Sequence, residues 1–169
     1  LTYIILAVTA LSMSSMQPGS IAIAAMVIIW ALRLGSFLYN RVKQVGHDTR
    51  FRTIKPDFFQ FLMTWTFQGM WVSLTFSAGL TALLTAEAHP MDALVLTGCA
   101  LWLAGFLIEV IADKQKTAFR QLESNKGKFI QQGLWAWSRH PNYFGEILLW
   151  VGIALAAFPV LEGQQLVTL

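Results

Sequence analysis

The residues best placed to do chemistry lie in Gly133–Trp150, GLWAWSRHPNYFGEILLW. Four polar side chains, Ser138, Arg139, His140 and Asn142, crowd the mouth of an apolar segment, and Glu146 follows one turn inside it. Pro141 suits the first turn of a helix, where its missing N–H goes unmissed. Asn142 and Glu146 are four apart and share a helical face. A carboxylate one turn inside a membrane span is costly and marks a candidate functional site. The structural alternative is that Ser138–Asn142 caps the helix while Glu146 pairs with Arg139 or a nearby Lys.

A second constellation is Glu109, Asp113, Lys116 and Arg120, spaced i, i+4, i+7, i+11 along one helical face. Glu109 and Asp113 repel at i, i+4 unless something donates to both. A ligand rich in hydroxyls or amides could do so, and so could Lys116 or Lys114 of the same helix; spacing alone favours the lysines. A third set joins Arg33 to the basic loop Arg41–Arg52, which includes Arg50. Arg forks recognise phosphate in a bidentate manner, so these residues could hold a polyphosphate; the plainer reading is contact with anionic lipid headgroups. His47, His89 and His140 fall on different loops, so no metal site is expected, and neither a Gly-rich nucleotide loop nor a nucleophile elbow occurs.

The elements that must position these residues follow from hydropathy. Of the 169 residues 56% are hydrophobic and only 12% charged, about half the charge of a soluble domain. The expected fold is all-α, a polytopic transmembrane helix bundle forming a single domain over 1–169. Five spans are read: Leu1–Met16 (short at about 24 Å), Ser20–Tyr39, Phe58–Leu84, Met91–Ala112 with a charged extension to Leu122, and Tyr143–Leu161. Arg33 aside, the other eleven Lys and Arg fall in 40–57 and 113–140, and five alternating spans put both segments on one side. The positive-inside rule makes that side cytoplasmic. The net charge of +3 therefore reports orientation, and no nucleic-acid partner is expected. Trp65, Trp71 and Trp102 read as helix-packing or lipid-facing; Trp30, Trp135, Trp137 and Trp150 are candidate interface anchors. Cys99 reads as a small buried hydrophobe. No signal peptide is read at Leu1, and the chain is expected to be a piece of a longer one.

The blocks WALRLGSFLYNR and HDTRF, Gln68, FLIEVIADKQKTAF, NKGKFIQQGLWAWSRHPNYFGE and LLWVGIAL together resemble the steroid 5α-reductase-like membrane proteins, in particular their bacterial branch, long labelled a domain of unknown function. The RHPNYFG core is also similar to isoprenylcysteine carboxyl methyltransferases; Glu146 after Gly145, with IADKQK upstream, favours the reductases. The resemblance implies a seven-helix parent of which this chain holds spans two to six, in a bacterial inner membrane. It implies NADPH as cofactor and hydride transfer to the C=C of a lipid-like enone. Carried over, the cofactor contacts are Asp113 and Arg120, with Asn142 and Glu146. Glu109 stands where the steroid enzymes carry an amide, and Arg33, Arg41, Arg50, Arg139, His140 and Tyr143 would neighbour the phosphates or ribose. Those enzymes serve the substrate carbonyl with a Glu on an early helix and a Tyr on the next. No Asp or Glu precedes Asp48 here, and Tyr39 is the nearest Tyr. The alternative functions are an S-adenosylmethionine-dependent membrane methyltransferase and a non-enzymatic bundle binding lipid or a partner protein. The apolar faces do not distinguish a sterol from a quinone or a polyprenyl chain, and the oligomeric state is not legible.

Overall fold

The computed structural model describes residues 1–45 and 54–169. They form five α-helices: α1 Thr2–Met13, α2 Pro18–Val45, α3 Phe58–Leu84, α4 Ala93–Gln121 and α5 Pro141–Ala157. Short 3-10 turns follow α4 and α5, and there is no strand among the described residues. Four helices are long and apolar enough to cross a membrane: Pro18–Lys43, Phe58–Leu84, Ala93–Gln121 and, with its trailing turn, Pro141–Val160. The protein is an integral membrane helix bundle. Asp57 and Asp92 cap α3 and α4, accepting from the Gln60 and Val95 backbones at 3.0 and 2.8 Å, caps of the kind that contribute about 1 kcal/mol each.

The α4–α5 pair is the most closely packed in the molecule. Gly98 and Gly105 on α4 face Gly152 and Gly145 on α5, so the helices run antiparallel with their backbones touching. A Cβ on Gly98 would sit 2.5 Å from the Gly152 carbonyl oxygen, and one on Gly145 2.6 Å from that of Gly105. With lipid outside as apolar as the side chains, such close approach is what drives helices together in a bilayer. The second half of α3 packs against α5 and α1, with Phe76, Ala82 and Leu83 in the shared core. Its first half, 58–71, is exposed throughout save for a half-buried Thr64.

The end away from the basic residues is closed by His89, which is fully buried. Its Nε2–H donates to the Ala156 carbonyl at 2.9 Å, its Nδ1 lies 3.4 Å from the Ser20 hydroxyl, and its own carbonyl accepts from Gly19. One ring thus ties the α3–α4 loop to the start of α2 and the end of α5. His89→Phe is expected to lower stability by about 1–3 kcal/mol, because the Ala156 and Ser20 groups lose their buried partner. An unchanged thermal midpoint in detergent would contradict that role.

Measured from the His89 end, α2, α3 and α4 at 28, 27 and 29 residues are about 40 Å long and outreach a hydrocarbon core of about 30 Å. Their surplus length lies at the basic end. Twenty residues from Ala93 carry α4 to Ala112, so Glu109 and Asp113 straddle the rim of the apolar layer.

Candidate functional site

Glu109 and Asp113 are both buried, at 4% and 8% exposed, and the donor they share comes from another helix. Arg33 of α2 sends Nη1 to Glu109 and Nη2 to Asp113, each at 2.6 Å. Trp30, one turn earlier on α2, donates its indole N–H to the second Glu109 oxygen at 3.1 Å. The expectation that Lys116 or Lys114 would neutralise the pair is therefore incorrect. Lys114 is exposed, and the Lys116 ammonium stands 4.6 Å over the Trp135 ring. The guanidinium fork spans two carboxylates at once, which an ammonium point charge does not do equally well.

The turn after α4 is fastened to that helix. Trp135 is buried and donates Nε1–H to the Ala112 carbonyl at 3.0 Å, and Gln115 accepts from the Leu134 backbone at 3.0 Å. Gly133 has φ +60°, a conformation glycine adopts at no steric cost, and a Cβ there would strike the Gln115 amide. Trp30 and Trp135 are thus interior residues and not interface anchors, whereas Trp137 is 94% exposed. Trp102 is buried and stacks on Phe106 at 5.0 Å.

α5 begins with Pro141 in its first turn, as the sequence implies, but no side chain caps it. Ser138 instead accepts from the His140 backbone at 3.2 Å. Asn142 and Glu146 do share a face. Among the described residues Glu146 has no ion-pair or hydrogen-bond partner, so the expected pairing with Arg139 or a Lys does not form. It lies within electrostatic reach of Glu109 and Asp113. The Asn142 Oδ1 is buried and likewise lacks a partner. Two carboxylates thus share one guanidinium at the rim of the bilayer, and Glu146 beside them keeps unmet capacity to accept hydrogen bonds.

Beside this cluster the α4 end and the 128–140 loop enclose a cavity of about 960 Å³. Lys116, Arg120, Lys128, Arg139 and His140 line it, with no carboxylate among the described residues, and Phe129 and Trp137 stand at its wall. The structure therefore brings Arg120, Arg139 and His140 together in one basic cavity, next to a second group of Arg33, Glu109, Asp113, Asn142 and Glu146. His140 and Tyr143 lie ring to ring at 5.4 Å, Tyr143 being exposed. Arg41 is exposed and near enough to Lys116 for their charges to interact. Tyr39 is 68% exposed on α2, about 9 Å beyond Arg33 along the axis. Arg50 lies outside the described residues, and no group of three potential metal ligands occurs among those described.

Sequence reasoning missed the inner face of the site. Tyr3 of α1 lies against Trp30 and Trp150, with ring centroids 5.2 and 5.4 Å away, and its hydroxyl meets Thr75 of α3 at 2.7 Å. Nothing in the spacing of residues so far apart could have paired them.

An antiparallel helix bundle with a buried Arg–carboxylate cluster beside a basic cavity, both at one membrane rim, defines the class: an all-α integral membrane protein. The whole chain, residues 1–169, matches the family described as Protein of unknown function (DUF1295), and the protein belongs to that family. It is similar to the curated protein 3-oxo-5-alpha-steroid 4-dehydrogenase 1. The cattle (Bos taurus) protein is 38% identical over 69 residues, covering 41% of this chain and 27% of that protein. The Macaca fascicularis protein is 39% identical over 75 residues, 44% and 28% of the two chains, and the human (Homo sapiens) one 38% over 75 residues, 44% and 29%. The chain thus matches little more than a quarter of the length of these relatives. No solved structure matches it.

Proposed function

We propose that this chain is the cofactor-binding part of an NADPH-dependent membrane oxidoreductase that reduces a C=C conjugated to a carbonyl in a steroid- or isoprenoid-like lipid. The observation that carries the reading is the pairing of acceptors left unsatisfied by the described residues, Asn142 Oδ1 and Glu146, with an adjacent cavity that those residues line with cations and no carboxylate. A nicotinamide dinucleotide needs both: acceptors for its carboxamide and ribose hydrogens, and cations for its phosphates. The relatives' name, a steroid 4-dehydrogenase, agrees with it.

Arg120, Lys128 and Arg139 would hold the phosphates, with Arg41 near the end of α2, and Arg50, also contributing. Asn142, Glu146, Glu109 and Asp113 would accept amide and hydroxyl hydrogens. Arg33 holds the two α4 carboxylates in place through its two nitrogens. His140 and Tyr143 stand at the entrance, and Tyr39 is retained as a group that could reach the carbonyl. Held by these residues, NADPH would supply the hydride for the β-carbon, with a solvent proton at the α-carbon completing the saturated ketone. Removing water at the rim strengthens every hydrogen bond that directs this transfer. The basic end would face the cytoplasm, where NADPH is available, of a bacterial inner membrane.

Titration of the purified protein with NADPH, and in parallel with S-adenosylmethionine, tests the reading. Saturable NADPH binding is expected, and Glu146→Gln should weaken it about ten- to a hundredfold, the worth of a hydrogen bond to a charged group. Binding of S-adenosylmethionine in place of NADPH would move the protein to the methyltransferases. Equal NADPH affinity in the Gln variant would remove Glu146 from the site.

A further inference from the structure

Phe129 and Trp137, at the wall of the basic cavity, are 89% and 94% exposed, more than any other Phe, Trp or Tyr among the described residues. Neither side chain has a ring contact or hydrogen bond with those residues. The backbone that carries each ring is nevertheless fastened. The Trp137 N–H donates to the Leu134 carbonyl at 3.2 Å, within the turn that Gln115 and Trp135 tie to α4. Ahead of Phe129, the Asn125 side chain donates to the Phe119 carbonyl at 2.9 Å, and the Lys128 N–H to the Asn125 carbonyl at 3.0 Å. Gln131 lines the same cavity, and its amide is exposed and likewise without a partner among the described residues.

Two bare ring faces, one free amide and a lining of cations describe the ligand that would fill this space. The cations require negative charge, and the rings require a flat partner on which to stack. The amide narrows the choice of partner. A Gln side chain offers one donor and one acceptor side by side, which match N7 and the N6 amine of adenine. Guanine presents two acceptors on that edge and suits an Arg fork instead. Anchoring in lipid headgroups accounts for a Trp at a membrane rim. It does not account for two rings and an amide turned to one cavity of about 960 Å³, the size of a small-molecule site.

We propose that Phe129 and Trp137 form a stacking slot for the adenine ring of the cofactor, with Gln131 reading the ring's edge. This rests on the NADPH reading above and adds to it the site of the end farthest from the hydride. The dinucleotide then follows the chain from the aqueous side to the membrane: adenine at Phe129 and Trp137, phosphates at Arg120 and Arg139, nicotinamide toward Asn142 and Glu146. The slot touches none of the reacting atoms. It contributes affinity and fixes the depth to which the cofactor enters.

The two ends of the cofactor can be titrated separately into the detergent-purified protein by calorimetry. Adenosine 2′,5′-bisphosphate carries the adenine end and reduced nicotinamide mononucleotide the other. Trp137→Ala is expected to weaken the bisphosphate and NADPH about ten- to a hundredfold, the worth of one stacked base, and to leave the mononucleotide unchanged. Trp137→Phe, which keeps a face, should restore most of the loss. The wild type should also prefer NADPH to its hypoxanthine analogue, which has oxygen in place of the N6 amine, and Gln131→Leu should abolish that preference. Equal bisphosphate affinity in wild type and Trp137→Ala would overturn the inference. So would an equal loss for both half-cofactors, or failure of Trp137→Ala to fold, since either assigns the ring a general structural role. No preference in the wild type would remove Gln131 from the slot. Binding of the mononucleotide without the bisphosphate would overturn the slot and leave the reductase reading intact. Binding of the bisphosphate without NADPH or the mononucleotide would remove the reductase reading and leave an adenine-nucleotide site. If none of the three binds, both fall.

Discussion

Arg33→Met is expected to destabilise the bundle by about 3–5 kcal/mol, the scale on which removing one partner of a buried charge pair leaves its counterpart uncompensated. Glu109 and Asp113 are four residues apart on one buried face, and Arg33 gives each of them a nitrogen at 2.6 Å. Without it two like charges are left together at the edge of a hydrocarbon layer. The Trp30 N–H reaches only Glu109, so Asp113 would retain nothing. Thermal unfolding in detergent, followed by circular dichroism, gives the size of the loss. The decisive comparison is the triple variant that adds Glu109→Gln and Asp113→Asn. With the charges gone as well, most of the lost stability should return. No recovery would mean that Arg33 acts by packing, for instance over the Phe37 ring at 5.4 Å.

Gly105→Leu and Gly145→Ala form the second large effect. A Cβ at Gly105 would lie 2.5 Å from the Gly145 carbonyl oxygen and 2.6 Å from the Leu149 nitrogen. These are backbone atoms, which cannot rotate away. The helices must part, at about 1–3 kcal/mol for the added methyl and more for leucine. Gly145→Ala adds a functional consequence, because its Cβ would meet the Glu109 backbone nitrogen at 2.7 Å. NADPH affinity should therefore fall along with stability in that variant. Gly35→Ala and Gly69→Ala are the controls, since nothing lies within 4 Å of either new Cβ. Each should be neutral or raise stability by up to about 1 kcal/mol through helix propensity. Equal melting points across all four variants would refute the close-packed interface.

These two cases mark how far the sequence could be read. The helices were legible because hydropathy and length report directly on a bilayer: the span read at Phe58–Leu84 coincides with α3, and the charged extension beyond Ala112 is the helical end of α4. Asn142 and Glu146 sharing a face was equally legible, since four residues is a local distance. The partner of Glu109 was not. It lies 76 positions away, and a helix offers its own lysines first to anyone reading spacing alone. The four glycines stand seven apart on each of two helices, but their meeting depends on the antiparallel register, which no local pattern encodes. Tyr3 and Trp150 come together through tertiary packing only. In each miss the residue was visible and its neighbour was not.

The Arg33 fork also bears on how the chain is made. Synthesis runs from α2 to α4, so the guanidinium is delivered to the membrane many residues before either carboxylate exists. An unpaired arginine at mid-bilayer would be a serious obstacle, but Arg33 lies twelve residues from the basic end of α2, within reach of the headgroups by extension of its side chain. There the lipid phosphates can act as temporary counter-ions. Once α4 is in place, Glu109 and Asp113 would replace them as the partners seen in the folded bundle. The pair so formed is a latch that closes only once two helices distant in the chain have both been inserted, and in the same relative depth. A chain with α4 misplaced by a turn could not close it, so the charged cluster would also check the depth of the two helices.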